Sequence, residues 1–82
     1  MIELCDDCEY SILIADLIAT LMVFDKHQKP FKVLIWCNTS ELPFKFANDS
    51  HFTFLQEGLR VECDDTIKYI FYDVITGMEV IR

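Results

Sequence analysis

Phe31-Lys32-Val33-Leu34-Ile35-Trp36-Cys37 decides the fold class. Phe31, Val33, Ile35 and Cys37 alternate with Lys32, Leu34 and Trp36, the period of two that marks a strand with one buried face. The same rhythm continues downstream. A turn at Asn38-Thr39-Ser40-Glu41 leads to Phe44 and Phe46 on one parity. Asn48-Asp49-Ser50 then separates these from Phe52 and Phe54. Glu57-Gly58 marks the next turn, after which Leu59, Val61 and Cys63 alternate with Arg60 and Glu62. Beyond Asp64-Asp65, Ile67, Tyr69 and Phe71 alternate with Lys68, Ile70 and Tyr72, and the first three are expected to face the core. Asp73 to Gly77 reads as a brief break before a closing strand, Met78-Glu79-Val80-Ile81. Five or six short, closely spaced strands point to a small barrel or sandwich, and a barrel would remove the edges that such apolar strands otherwise expose.

Upstream the signal is weaker. Asp25-Lys26-His27-Gln28-Lys29-Pro30 is polar and reads as a turn. Asp6-Asp7-Cys8-Glu9 has the spacing of a capping box, with Asp6 as N-cap and Glu9 three residues on. That predicts a short helix from near Asp7 to Asp16 or Leu17, then a strand to Phe24. The expected organisation is one domain over residues 1–82: an acidic segment with a short helix over 1–17, and a β-barrel over 18–82.

The totals permit a core without staples. Hydrophobic residues make up 52% of 82, and only two glycines and two prolines occur, so the chain is neither a linker nor a disordered tail. The longest apolar stretch, Ile12 to Phe24, is interrupted by Asp16 and Thr20 and is too short to span a bilayer. An acidic start does not resemble a secretory leader, so a soluble, cytoplasmic protein is expected. The four cysteines, Cys5, Cys8, Cys37 and Cys63, are then expected to be reduced, with Cys37 and Cys63 acting as small core residues. Trp36 and Tyr72 have the parity opposite to their strands' expected core face, which suggests a partly exposed apolar patch.

Charge is the most lopsided property. Glu3, Asp6, Asp7, Glu9, Asp16 and Asp25 fall in the first 25 residues with no base among them, in a chain of net charge −7. Such a surface repels nucleic acid and attracts a basic partner. The basic cluster Lys26, Lys29 and Lys32 lacks interleaved stacking aromatics apart from Phe31, so direct nucleic-acid binding is not expected.

Catalytic chemistry finds little support. There is no nucleophile elbow, no P-loop and no His-Glu-x-x-His. Asp6-Asp7 and Asp64-Asp65 are adjacent pairs that suit caps and turns. Cys5-Asp6-Asp7-Cys8 is a CxxC, but structural zinc takes two such pairs. Cys37, Cys63, His27 and His51 could complete a site only through the fold. The two aspartates between the cysteines would raise a thiol pKa, which disfavours redox catalysis. No enzyme activity, cofactor or metal is expected.

Two pieces together resemble the Rho-binding antiterminator family, also called Rof. The opening is Ile2-Glu3-Leu4-Cys5-Asp6-Asp7-Cys8-Glu9-Tyr10; the ending is Ile70-Phe71-Tyr72-Asp73-Val74-Ile75-Thr76-Gly77-Met78-Glu79-Val80. The family closes on Ile-x-Leu-Asp-x-Ile-x-Ser-Met-Glu-Val, which Ile70, Asp73, Ile75, Met78, Glu79 and Val80 match in place. The resemblance implies a short helix followed by a small Sm-like β-barrel, and the ending is also similar to that of SH3-like barrels. It further implies inhibition of the transcription termination factor Rho, by covering its RNA-binding face and so causing antitermination. Asp6, Asp7 and Glu9 match the acidic opening and are the expected partner contacts, with Asp16 a further candidate. Two other readings are open at this level: a phage-type or accessory protein mimicking nucleic-acid charge against another host protein, and an Sm-like structural ring. The oligomeric state is not legible.

Overall fold

A stripe of apolar side chains at helical spacing organises the N-terminal part of the chain. Ile14, Leu17, Ile18 and Leu21 repeat at i, i+3, i+4 and i+7 and are all buried. In the computed structural model, which describes residues 2–27 and 30–81, they form the inner face of helix α1, Ile12–Lys26. Ser11 is the N-cap, and its hydroxyl accepts a hydrogen bond from the Ile14 N–H at 3.3 Å. The expected helix therefore starts later and ends later than predicted. Asp6 and Asp7 form a turn instead of a cap, and no strand forms up to Phe24. A strand over Ile18 to Phe24 would have put Ile18 and Leu21 on opposite faces, whereas the helix keeps both in the core. The helix thus crosses the expected boundary at residues 17 and 18. Phe24 stacks on Phe31, with centroids 5.8 Å apart, and so anchors the helix end to the next strand. Of the expected turn over Asp25–Pro30, Gln28 and Lys29 lie outside the described residues.

Seven strands are found among the described residues, in two sheets. A short first strand, β1 (Ile2–Leu4), precedes the helix. Then follow β2 (Lys32–Cys37), β3 (Phe44–Ala47), β4 (His51–Phe54), β5 (Gly58–Cys63) and β6 (Thr66–Phe71). A single 3-10 turn, η1 (Tyr72–Val74), leads into β7 (Ile75–Ile81). The sheets have the orders β1-β4-β5-β6 and β3-β2-β7, and no ladder joins them among the described residues. The fold is mainly β with one helix. The unforeseen strand is β1, which runs parallel to β4 with Ile2 opposite Phe52. The break expected from Asp73 to Gly77 is shorter than predicted, since β7 is already paired from Ile75.

The inner faces follow the alternation read from β2. Val33, Ile35 and Cys37 on one sheet meet Phe52, Phe54, Leu59, Val61 and Ile70 on the other, and all are buried. The chain changes sheets between β3 and β4, where the Asn48 N–H bonds the Phe31 carbonyl at 3.1 Å.

On β6 the predicted parity is reversed. Ile67, Tyr69 and Phe71 are 59%, 42% and 53% exposed, while Ile70 is 3% exposed. The pairing of Cys63 with Thr66 across Asp64-Asp65 sets this register, with Asp64 at φ 55°. Leu59 and Ile70 stand opposite one another and share the inner face. Apolar content alone favoured the wrong side, because Ile67, Tyr69 and Phe71 outnumber the single residue that the register turns inward. Trp36 and Tyr72 are half-buried. The larger exposed apolar surface is β6 itself.

Candidate partner-binding site

The loop between β1 and α1 is built around Tyr10. Its hydroxyl donates to the Phe54 carbonyl at 2.7 Å and accepts from the Cys5 N–H at 3.2 Å. Its ring meets Phe54 and Tyr72 edge-on, each with centroids 6.5 Å apart. One residue earlier, the Glu9 N–H donates to Gln56 Oε1 at 3.3 Å. Tyr72 extends the frame: its hydroxyl donates to the Leu55 carbonyl at 2.7 Å, and its N–H to the Glu57 carbonyl at 3.0 Å. Burial, helped by Tyr10 and Tyr69, pushes the Tyr72 phenol well above its ordinary pKa, which keeps it protonated as a donor. Three segments, 5–10, 55–57 and 72–74, are thereby tied into one end of the molecule.

That end is acidic. Asp6, Asp7 and Glu9 are exposed on the first segment, Glu57 on the second and Asp73 on the third. None of the three segments contains a lysine or arginine. Both ion pairs among the described residues lie elsewhere, His51–Glu3 at 3.4 Å and Arg60–Glu62 at 2.7 Å. Five carboxylates without counter-ions among the described residues leave a negative potential facing solvent, which is what steers a cationic surface toward a site.

Asp16 is not part of this group. It lines a separate cleft between α1 and β7, together with Leu13, Thr20, Phe24 and Glu79. Glu3 is drawn toward His51, and Asp25 sits beside Ile2 and Met22 at the far end of the helix. Glu57 and Asp73 had no local signal in the sequence. Each is a lone acid in its loop, brought to the first loop by the Tyr10–Tyr72 packing and by the Tyr10–Phe54 and Glu9–Gln56 hydrogen bonds.

The cysteines depart from expectation. Cys5 and Cys8 are joined in a disulfide, their Cα atoms 5.3 Å apart, so that Asp6 and Asp7 sit inside a four-residue ring. The turn at Asp6-Asp7 folds the chain back far enough for the two Cβ atoms to meet. Cys37 is free and buried, and burial raises its thiol pKa against the opposing pull of Lys68, so it is a core residue and a poor nucleophile. Cys63 is free and half-buried. Among the described residues no group of three or more His, Cys, Asp or Glu side chains comes together as metal ligands. Nor does any described helix have the length and apolarity to cross a membrane.

Compared with known protein families, with curated proteins and with solved structures, the chain has no match.

Proposed function

We propose that this chain is a non-catalytic, acidic inhibitor that occupies the RNA-binding surface of the transcription termination factor Rho and blocks RNA loading. The observation that carries the reading is the acidic end formed by Asp6, Asp7, Glu9, Glu57 and Asp73 on three tied loops. A groove built to hold phosphates presents cations, and carboxylates on a fixed frame compete for them. The resemblance of the opening and ending segments to the Rho-binding antiterminators names the partner. The order of elements favours an Sm-like arrangement, with a helix ahead of β2, β2 between β3 and β7, and a one-turn link before the last strand. An inhibitor of this kind acts in the cytoplasm.

The test is a competition assay with purified Rho and labelled single-stranded RNA. The native chain should displace RNA, and displacement should fade as salt rises. The variant Asp6→Asn, Asp7→Asn, Glu9→Gln should keep its fold and lose displacement. A folded variant that still displaces RNA as well as the native chain would sink the contact assignment. Failure of the native chain to bind Rho, with capture of another basic nucleic-acid-binding protein from lysate, would move the same acidic end to a different partner.

A further inference from the structure

Strand β6 ends its sheet with one side open. Its ladder runs to β5 alone, and no strand among the described residues pairs its far side. Soluble β proteins usually blunt such an edge with lysine, proline or a bulge. Here the strand carries one lysine, Lys68, and its ammonium is drawn aside to lie 4.0 Å over the Phe44 ring. A groove of 300 Å³ runs along the edge, with Cys37, Phe44, Ile70, Phe71, Val74 and Lys68 among its walls. On the outer face Tyr69 and Phe71 pack edge-to-face, with centroids 4.9 Å apart.

Apart from Lys68 on the strand itself, the charges flanking its two ends share one sign. Asp64 and Asp65 lie at its start, and Glu57 and Asp73 at its end, all exposed. No ion pair engages these four among the described residues. The nearest cation on β5, Arg60, is held by Glu62.

We propose that the open edge of β6 accepts an extended segment of a partner protein as an added strand, one that is apolar in its middle and carries Lys or Arg at both ends. The edge supplies unpaired backbone donors and acceptors, and the groove takes alternate side chains of the incoming strand. The two acidic ends fix its position and reject the wrong charge. The charge pattern selects this occupant over two others. A nucleic acid would meet four carboxylates, and a second copy would bring a chain that itself carries −7. The inference goes beyond the Rho reading and does not depend on it.

The experiment uses the full chain and a synthetic probe, acetyl-Lys-Lys-Val-Thr-Val-Thr-Val-Arg-Arg-amide. Binding is followed by NMR, with amide hydrogen exchange read residue by residue. The probe should slow exchange along β6. Methylating alternate probe nitrogens on its hydrogen-bonding edge should weaken binding about tenfold or more, since each lost backbone bond matters. Replacing its Lys and Arg by Glu should abolish binding, and the double variant Asp64→Asn, Asp73→Asn should weaken it about tenfold. Asparagine is chosen at residue 64 because it tolerates a positive φ. The proposal is overturned if β6 exchange is unaffected, or if the methylated or acidic probe binds as well as the parent. Protection of β6 that appears without probe and grows with protein concentration also overturns it, by assigning the edge to self-association.

Discussion

The ring of Tyr69 lies directly on Gly58. A Cβ added at Gly58 would come within 2.7 Å of Tyr69 Cε1 and within 2.7 Å of the Ile70 carbonyl oxygen. Glycine here serves close approach, since its φ is not positive. The aromatic ring covers the bare backbone and stiffens the start of the β5–β6 hairpin. Gly58→Ala should therefore destabilise the fold by ~1–3 kcal/mol, because the carbonyl it meets is backbone and has little room to move. Urea unfolding would read this as a lower midpoint at unchanged slope.

Tyr10 carries the acidic loop. Tyr10→Phe keeps the ring contacts to Phe54 and Tyr72 but removes one donor and one acceptor from a half-buried site. A loss of ~1–2 kcal/mol is expected, with faster amide exchange at Cys5. An unchanged exchange rate there would show that the hydroxyl does not hold the loop.

Alkaline pH should weaken the fold through Tyr72. Its phenol has an ordinary pKa near 10 and is raised in the folded chain by burial, Tyr10 and Tyr69. Above pH ~10 the unfolded chain releases this proton while the native one keeps it, so stability falls as pH rises. Below pH ~10 the contribution is fully present. Tyr72→Phe should flatten the decline in unfolding free energy between pH ~10 and pH ~12. A variant with the native slope would place the responsible group elsewhere.

The carboxylates should not contribute alike to partner binding. If the proposed Rho contact holds, Glu57→Gln with Asp73→Asn should weaken that binding and lower its salt dependence, as is expected of Asp6→Asn with Asp7→Asn. Asp16→Asn should leave both unchanged, because Asp16 opens on the cleft beside β7. Titrating each variant at ~50 mM and ~500 mM salt separates the two groups.

Reducing the Cys5–Cys8 bridge should cost little. It closes only four residues, for which loop-closure entropy predicts at most ~2 kcal/mol. The loop keeps its bonds to Phe54 and Gln56 through Tyr10 and Glu9. Urea unfolding with and without a phosphine reductant would measure the difference, and collapse of the fold on reduction would contradict it.

Much of the β architecture was readable in the chain because burial follows alternation. Val33, Ile35, Phe52, Phe54 and Val61 are core residues both by parity and by position. Where two periods compete, the reading failed. Ile12 to Phe24 is apolar nearly all round, so the stripe Ile14, Leu17, Ile18 and Leu21 did not stand out against its neighbours. On β6 the more apolar face is the outer one, and a two-residue turn set the register against it. Asp6, Asp7 and Glu9 were visible as a run, whereas Glu57 and Asp73 join them through long-range contacts made by Glu9, Tyr10 and Tyr72.

The acidic end is also an order of events. Its first acids are made some fifty to seventy residues ahead of Phe54, Gln56 and Tyr72, which complete the frame that presents them. A nascent chain that has not yet reached Tyr72 holds its charges on a slack thread. The loop's presentation of its acids therefore waits on Tyr72.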